Sequence, residues 1–562
     1  MTAEDASSVY PRRLFWLALV AFGLCLPMIL FDQDPGKDTS TYYSPMIRAF
    51  SQGDWAHAFW PMISPLFICV GSVFAWLGAA PYTAAKITSA LFFAAGIWPT
   101  YTVHRRVFGA RPAWTAVVLY VLCARLIRYG GAGLLDSGKT FFLILVVSVL
   151  LSFWEAQSWR SVLLLAVGGA GLCLIRGDGV IFFAIAAAIA LLRETLAQAT
   201  RLGNIRSWRF PRRSLSALLL AFVLISPWLA YEWVQVGFPA LDVRQVTRVQ
   251  RVAVSLGVQL PPLVGRLPRQ PDENLALKKI PGAPPPARQS GSWQASGRAR
   301  ALGEIVSGLF PVYLLLAFPV IAMRIRRRRW TRAETVLLVA IAAHTLLLLA
   351  ALGVALITKR YVTAAIPLLL GWAALGWQQA ADWMHTKQPR HGARVAGGVA
   401  VIFALIMAWD GASRARRPLM SGRAPEIRAT AACAEWLKTS GTSLIAPQDT
   451  ALESTAYLYH NGRRLRVVTL EPSLALFADA DLVNPRHLRE FYDLSAFLEF
   501  CELNRVHFVV WDKALAAICP DLKDPAALPA ALFTPMNTGA TATGMQVFGY
   551  RPCLVGQAHP SS

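Results

Sequence analysis

PVYLLLAFPVIAMRIRRRRWTRAETVLLVAIAAHTLLLLA, residues 311–350, carries the reading on which the fold turns. An apolar run, a block of arginines from Arg324 to Arg332 and a second apolar run follow one another. At about 1.5 Å per residue, each run with its flank reaches across a hydrocarbon core of about 30 Å. A basic cluster between two such runs stays on the cytoplasmic side. The stretch therefore predicts a helix at about 305–323, an inside loop and a helix at about 334–357.

The same alternation extends in both directions. Apolar runs of about 16–22 residues recur from Leu14 to Ala408. The chain is 55% hydrophobic, with mean hydropathy +0.44. The predicted fold class is a polytopic α-helical membrane protein with a small C-terminal α/β domain. The membrane part covers residues 1–415 and the soluble, periplasmic part 418–555. Arg12 and Arg13 place the N-terminus inside. Leu14–Phe31 is long for a signal sequence, no small-residue cleavage site follows it, and it reads as the first anchor. About eleven spans follow, at roughly 14–31, 83–103, 112–128, 138–154, 161–175, 180–192, 215–232, 305–323, 334–357, 362–378 and 394–409.

The apolar stretch Ile63–Leu77 is followed by no basic cluster, and is expected to be re-entrant or interfacial within a first periplasmic loop, 32–80. Were it to cross, the Arg324–Arg332 block would fall outside. Residues 240–300, rich in proline, glycine and glutamine, cannot pack a core and predict a flexible periplasmic loop. The formal net charge of +23 lies in short arginine runs between apolar segments. That distribution belongs to inside loops rather than to a nucleic-acid face, so no nucleic-acid partner is expected. Cys25, Cys69, Cys123 and Cys173 lie in or near apolar segments and read as core residues. Cys433, Cys501, Cys519 and Cys553 lie in the tail, where disulfides and free thiols both fit. The tail predicts helices at Glu426–Lys438 and Pro485–Asn504, and strands at Ser443–Ala446, Arg464–Leu470, Val506–Trp511 and Met545–Tyr550. It carries no metal-ligand spacing, phosphate loop or nucleophile elbow.

Chemistry concentrates in the outer loops. FDQDPGKDTSTYYSPMIRAFSQGDW, residues 31–55, puts Asp32, Asp34 and Asp38 directly after the first span. Carboxylates at a membrane boundary can act as general bases or hold a cation, and they can also be merely solvated. Asp136, in GGAGLLDSGKTFF, falls on the same side; it can serve an acceptor beside Asp38 or cap a helix with Ser137. Lys359 and Arg360, with Tyr361, break the inside rule for charge. A guanidinium there can grip a lipid phosphate with two hydrogen bonds, or snorkel to headgroups. Arg176 and Asp178, in LCLIRGDGV, form a charged pair at another outer boundary. Lys86 and Arg125 fall near helix ends and read as snorkelling, and His344 reads as a packed mid-helix histidine.

At these residues the chain resembles the C superfamily of membrane glycosyltransferases, which take sugars from polyprenyl phosphates. The nearest likeness is to the bacterial relatives of protein O-mannosyltransferases and to the aminoarabinose transferase acting on lipid A. Asp38, Tyr42, Ala49 and Gly53-Asp54-Trp55 match the spacing of that group. Leu174-Ile175-Arg176-Gly177-Asp178-Gly179, Pro227-Trp228 with Gly237 and Pro239, and Arg360-Tyr361 before Pro367 follow in family order. Two positions depart: Thr39 replaces a glutamate, and Ser64-Pro65-Leu66 lacks the lysine of a Lys-Pro-Pro-Leu element. The resemblance implies inverting transfer of a sugar from a lipid-linked polyprenyl-phosphate donor to a lipid, glycan or protein acceptor at the outer face of the inner membrane. It makes Asp38 and Asp136 the catalytic candidates. Arg360, Lys359, Tyr361, Tyr42, Arg176, Asp178 and Asp34 become candidates for substrate binding. No cofactor is expected; a divalent metal is the one addition the resemblance leaves open. Two other classes compete: an outer-leaflet polysaccharide polymerase or ligase, leaning on loop arginines and histidines, and a transporter, which calls for charges at mid-bilayer.

Overall fold

Thr331, inside the arginine block, and Glu334, just after it, close a reciprocal cap. Thr331 Oγ1 accepts from the Glu334 backbone N–H at 3.2 Å, and Glu334 Oε2 accepts from the Thr331 N–H at 2.8 Å. Such a box satisfies two of the amides that a helix start leaves without partners. Arg324 reaches back to the same carboxylate at 2.6 and 2.9 Å, and Trp372 Nε1 donates to it at 3.1 Å. Arg326 to Arg329 stay exposed. The basic loop is thus a tight corner between two helices, pinned by one buried glutamate.

The computed structural model describes residues 3–31, 38–59, 63–155, 158–202, 211–236, 295–356 and 359–387, and in the tail parts of 397–409, 424–444, 465–483, 494–536 and 545–550. The helices of the body are α1 (Ala3–Phe31), α2 (Ser44–Ser51), α3 (Trp55–Ala58), α4 (Leu66–Trp76), α5 (Pro81–Ala95), α6 (Ile97–Phe108), α7 (Ala110–Val121), α8 (Ala124–Gly131), α9 (Asp136–Glu155), α10 (Trp159–Ile175), α11 (Gly179–Leu202), α12 (Arg212–Val236), α13 (Ala295–Gly308), α14 (Pro311–Arg326), α15 (Arg332–Leu356), the one-turn α16 (Lys359–Val362) and α17 (Ile366–Lys387). A π-helical turn, Thr39–Tyr43, precedes α2.

Among the described residues, four helices are long and apolar enough to cross a membrane singly, and three bent pairs raise this to seven. The expected span at 112–128 is bent by 53° between α7 and α8, and that at 305–323 by 88° between α13 and α14. Pro311 opens α14 behind Phe310, whose φ of 65° is unusual for a bulky side chain. Apolar composition continues across both bends, which is why the runs read as unbroken. The span expected at 180–192 is longer, Gly179–Leu202. Ile63–Leu77 contains α4, whose eleven residues reach only about 16 Å, half of a hydrocarbon core, before the chain turns by 119° into α5. Most of the expected last span and the whole of 240–294 lie outside the described residues.

Helix α9 is the centre of the body, with 78% of its apolar window buried, against 33% for α1 and 28% for α12. Leu219, Phe222 and Val223 of α12 and Phe15, Trp16 and Leu19 of α1 stand exposed. In water such faces would associate; against lipid tails they need no cover. Lys86 and Arg125 do not snorkel: both are buried, and Lys86 Nζ donates to the Met28 carbonyl at 2.8 Å.

The tail holds α18 (Ala424–Trp436), α19 (Leu494–Leu503) and strands β1 (Arg466–Val468), β2 (Asp481–Val483), β3 (Phe508–Trp511), β4 (Phe533–Met536) and β5 (Gln546–Tyr550). They form one sheet in the order β2-β1-β3-β5-β4, parallel on one side of β3 and antiparallel on the other. The expected strand at Ser443–Ala446 is not one where it is described: Ser443 is helical and Leu444 lies in a turn. β4 was hidden by Pro535, which cannot donate to a ladder and is tolerated because β4 is an edge. Cys433, Cys501 and Cys519 are buried; Cys553 lies outside the described residues. Burial pushes the Cys433 thiol up to about 12. Because the thiolate is the nucleophile, Cys433 should resist maleimide in the folded protein and react after denaturation, read by intact mass. Rapid native labelling would contradict this burial.

Candidate active site

Six ionisable side chains from four segments of the chain form one alternating line. Arg360 Nη1 donates to Asp38 Oδ2 at 2.5 Å, and Arg360 Nε to Asp136 Oδ2 at 2.7 Å. Arg176 Nη1 donates to the other Asp136 oxygen at 3.2 Å, and Arg176 Nε lies 3.3 Å from Asp178 Oδ1. Lys139 Nζ closes the line on Asp178 Oδ2 at 2.6 Å. Three carboxylates and three cations make it neutral. Its ends differ: the Asp38 side chain is 36% exposed and that of Lys139 only 2%. Asp38 faces the accessible side, and Lys139 anchors the interior.

Local structure explains how each member is held. Asp38 precedes the Thr39–Tyr43 turn, and Thr39 Oγ1 donates to the carbonyls of Gly133 at 3.0 Å and Ala132 at 3.3 Å. Thr39 is fully buried there, where a glutamate would set a charge against two carbonyl oxygens. Gly133 has φ +67°, and a Cβ on it would approach the Thr39 methyl to 3.1 Å, so the turn before α9 and the Asp38 loop fit through a glycine. Asp136 opens α9, where the helix dipole favours a carboxylate. Its oxygens go to two arginines rather than to a helix cap. Arg176 and Asp178 lie in the three-residue turn between α10 and α11. A Cβ on Gly179 would sit 2.1 Å from the Leu172 carbonyl oxygen, so only glycine lets the chain turn that tightly. Arg360 sits on α16, with the Tyr361 ring 4.9 Å from the Arg176 guanidinium and 6.0 Å from that of Arg360.

Burial by itself would raise the Asp178 carboxyl, but Lys139 and Arg176 outweigh it and hold it well below the usual range. With a depressed folded value, the stabilisation is present above the ordinary carboxylate range and is lost only as pH falls through the lowered one. Asp178 thus stays a carboxylate near neutrality. Removing one partner of a buried pair costs about 3–5 kcal/mol, because the other charge is left uncompensated. Lys139→Met should therefore strongly lower the unfolding midpoint in detergent, and adding Asp178→Asn should recover much of the loss. Equal midpoints for wild type and Lys139→Met would contradict the pairing.

Of the residues singled out from sequence, Asp38, Asp136, Arg176, Asp178, Arg360 and Tyr361 come together. Lys359 does not join the line: its backbone N–H donates to Glu304 at 2.8 Å and its side chain is exposed. Tyr42 is half-buried against the main core, and its neighbour Tyr43 is the tyrosine the charges surround. Burial and the carboxylates of Asp38 and Asp136 push the Tyr43 phenol upward. Asp32 and Asp34 lie outside the described residues, as do Gly237 and Pro239. Sequence reasoning missed Lys139, although it lies three residues after Asp136 and therefore on the same helix face.

A narrow pocket adjoins Asp136, lined by Phe93, Tyr120, Leu126, Tyr129 and Thr363 among others. A second, apolar pocket runs between α9, α11 and α15 along Leu143, Val147, Phe182, Val336 and Ala340. It begins at Phe182, whose ring lies 5.4 Å from the Lys139 ammonium. Among the described residues, no group of three or more His, Cys, Asp or Glu is placed to hold a metal ion.

No family model matches the sequence, and no curated protein does either. Solved structures do resemble it. The crystal structure of ArnT from Cupriavidus metallidurans in the apo state is 14% identical, with TM-score 0.54 over 97% of this chain and 98% of that one. ArnT from the same organism bound to undecaprenyl phosphate also gives TM-score 0.54 at 14% identity, over 99% of this chain and 100% of that one. An oligosaccharyltransferase from Archaeoglobus fulgidus reaches TM-score 0.49 at 14% identity, over 93% of this chain and 73% of that one. The chain therefore has the fold of ArnT along nearly its whole length.

Proposed function

We propose that the protein is an inverting glycosyltransferase of the inner membrane, moving a sugar from a polyprenyl-phosphate-linked donor to a lipid, glycan or protein acceptor. Its soluble C-terminal domain lies on the periplasmic side, where the donor headgroup and acceptor meet. The observation that carries this reading is Arg360 suspended between two carboxylates, the more exposed of them Asp38. The geometry divides the labour. Asp38 takes the proton of the acceptor nucleophile as that atom bonds to the anomeric carbon. The bond from that carbon to the phosphate oxygen breaks, and the electron pair leaves with the lipid phosphate. Arg360 meets the charge that develops there, and stabilising such charge with a preorganised donor commonly lowers the barrier more than any other single effect. Its described partners use Nε and Nη1, which leaves Nη2 for a ligand oxygen. Asp136 and Arg176 hold that guanidinium in place. ArnT, whose fold this chain shares, has been solved with undecaprenyl phosphate.

The test offers purified protein a panel of polyprenyl-phosphate sugars and follows release of free polyprenyl phosphate, alone and with added membrane extract. Release from at least one donor supports the reading. No release from any of them would favour a polymerase, a ligase or a transporter.

A further inference from the structure

We propose that His344 is a positioning residue for the reaction, setting Arg360 through the backbone of Tyr361; this rests on the glycosyltransferase reading above. The helix that presents Arg360 is one turn long, Lys359–Val362. A single turn has too few internal hydrogen bonds to hold itself, and its last carbonyls need outside donors. Three contacts from three elements supply the restraint. The Lys359 N–H donates to Glu304 of α13 at 2.8 Å, and Thr363 Oγ1 donates to the Lys359 carbonyl at 2.8 Å. His344 Nε2, from the middle of α15, lies 3.0 Å from the Tyr361 carbonyl oxygen. A carbonyl only accepts, so Nε2 carries the hydrogen and Nδ1 is the bare nitrogen. Among the described residues Nδ1 has no hydrogen-bond partner, so this one bond accounts for the polar capacity the ring spends.

The residue is fully buried at the end of the apolar run Val336–Ala343, with its ring 5.1 Å from that of Phe182. A phenylalanine or leucine would pack there without a polar group to satisfy, and a merely space-filling role does not require imidazole. What imidazole adds is a donor aimed at the residue that follows Arg360. Through Tyr361 the effect reaches both guanidinium groups, because the tyrosine ring lies beside Arg176 as well as Arg360. Losing the bond frees the Tyr361 carbonyl to turn elsewhere and lets α16 rotate, which moves Arg360 relative to the leaving phosphate.

The experiment compares wild type, His344→Phe and His344→Gln as folded, monodisperse protein in detergent. It reads binding of free polyprenyl phosphate and turnover of the sugar donor separately. Gln carries an amide N–H at about the reach of Nε2; Phe keeps the ring volume and has no donor. Misplacement of a catalytic group by about 1 Å can cost about 10²-fold. His344→Phe should lose turnover on that scale and bind polyprenyl phosphate more weakly, whereas His344→Gln should recover most of both. If Phe prevents folding, His344→Leu supplies the donor-free side chain. Wild-type turnover in the Phe or Leu variant, or a Gln variant as impaired as Phe, would overturn the positioning role while leaving the glycosyltransferase reading intact. A wild type that neither binds polyprenyl phosphate nor turns over any donor would overturn that reading, and this inference with it.

Discussion

Asp38→Asn should lose sugar transfer by about 10²–10⁴-fold, the usual contribution of a positioned general base, while binding free polyprenyl phosphate more tightly than the wild type. Both effects follow from one contact. Asparagine is close in shape to aspartate, so the loop and its Thr39 anchor stay in place, but it cannot take up the acceptor proton. The same change removes one of the two anions that share Arg360 at 2.5 and 2.7 Å, leaving more of the guanidinium's charge for an incoming phosphate. Binding is read by titration of intrinsic tryptophan fluorescence, and turnover by polyprenyl phosphate release. Tighter binding with unchanged turnover would move the base elsewhere. Weaker binding would mean that Arg360 does not meet the phosphate. The pairing also predicts order: the donor phosphate draws Arg360 toward itself and frees Asp38 for the acceptor, so the donor should bind first.

Arg360→Met should cost about 10²–10³-fold in turnover, the scale set by removing one preorganised donor to a developing oxyanion, and should weaken polyprenyl phosphate binding. The fold should survive, because Asp136 keeps Arg176 and Asp38 is partly solvated. Arg360→Lys should recover only a small part. A lysine ammonium is a point charge on a flexible stem and cannot span two carboxylates and a phosphate in one plane. Turnover within a few-fold of wild type in Arg360→Met would place the leaving-group contact on another cation, with Lys359 the first to test.

The site was legible from sequence in its members and not in its pairing. Asp38, Asp136, Arg176, Asp178 and Arg360 each stand in an ordered set of short motifs. Arg360 and Asp38, however, lie 322 positions apart, and no periodicity reports that one guanidinium bridges both carboxylates. Arg360 therefore looked free for a phosphate when the fold already holds it between two anions. Lys139 could have been found from the helical spacing to Asp136. His344 could not, because its bond is to a backbone carbonyl, which any residue supplies. The membrane body was legible because an apolar run must match a hydrocarbon thickness. Its bends were not, since Phe310 and the α7–α8 break are as apolar as their surroundings. In the tail, three-residue β2 and proline-bearing β4 carry too little alternation to read as strands.

The most direct measurement supplies radiolabelled polyprenyl-phosphate sugars to the purified protein with membrane extract, and scores labelled acceptor against polyprenyl phosphate released, for wild type and Asp38→Asn side by side. The wild type should give one polyprenyl phosphate for each sugar transferred, and the folded mutant both products at rates lower by about 10²–10⁴-fold. Transfer by Asp38→Asn at the wild-type rate, or no transfer by the wild type from any donor in the panel, would contradict this expectation.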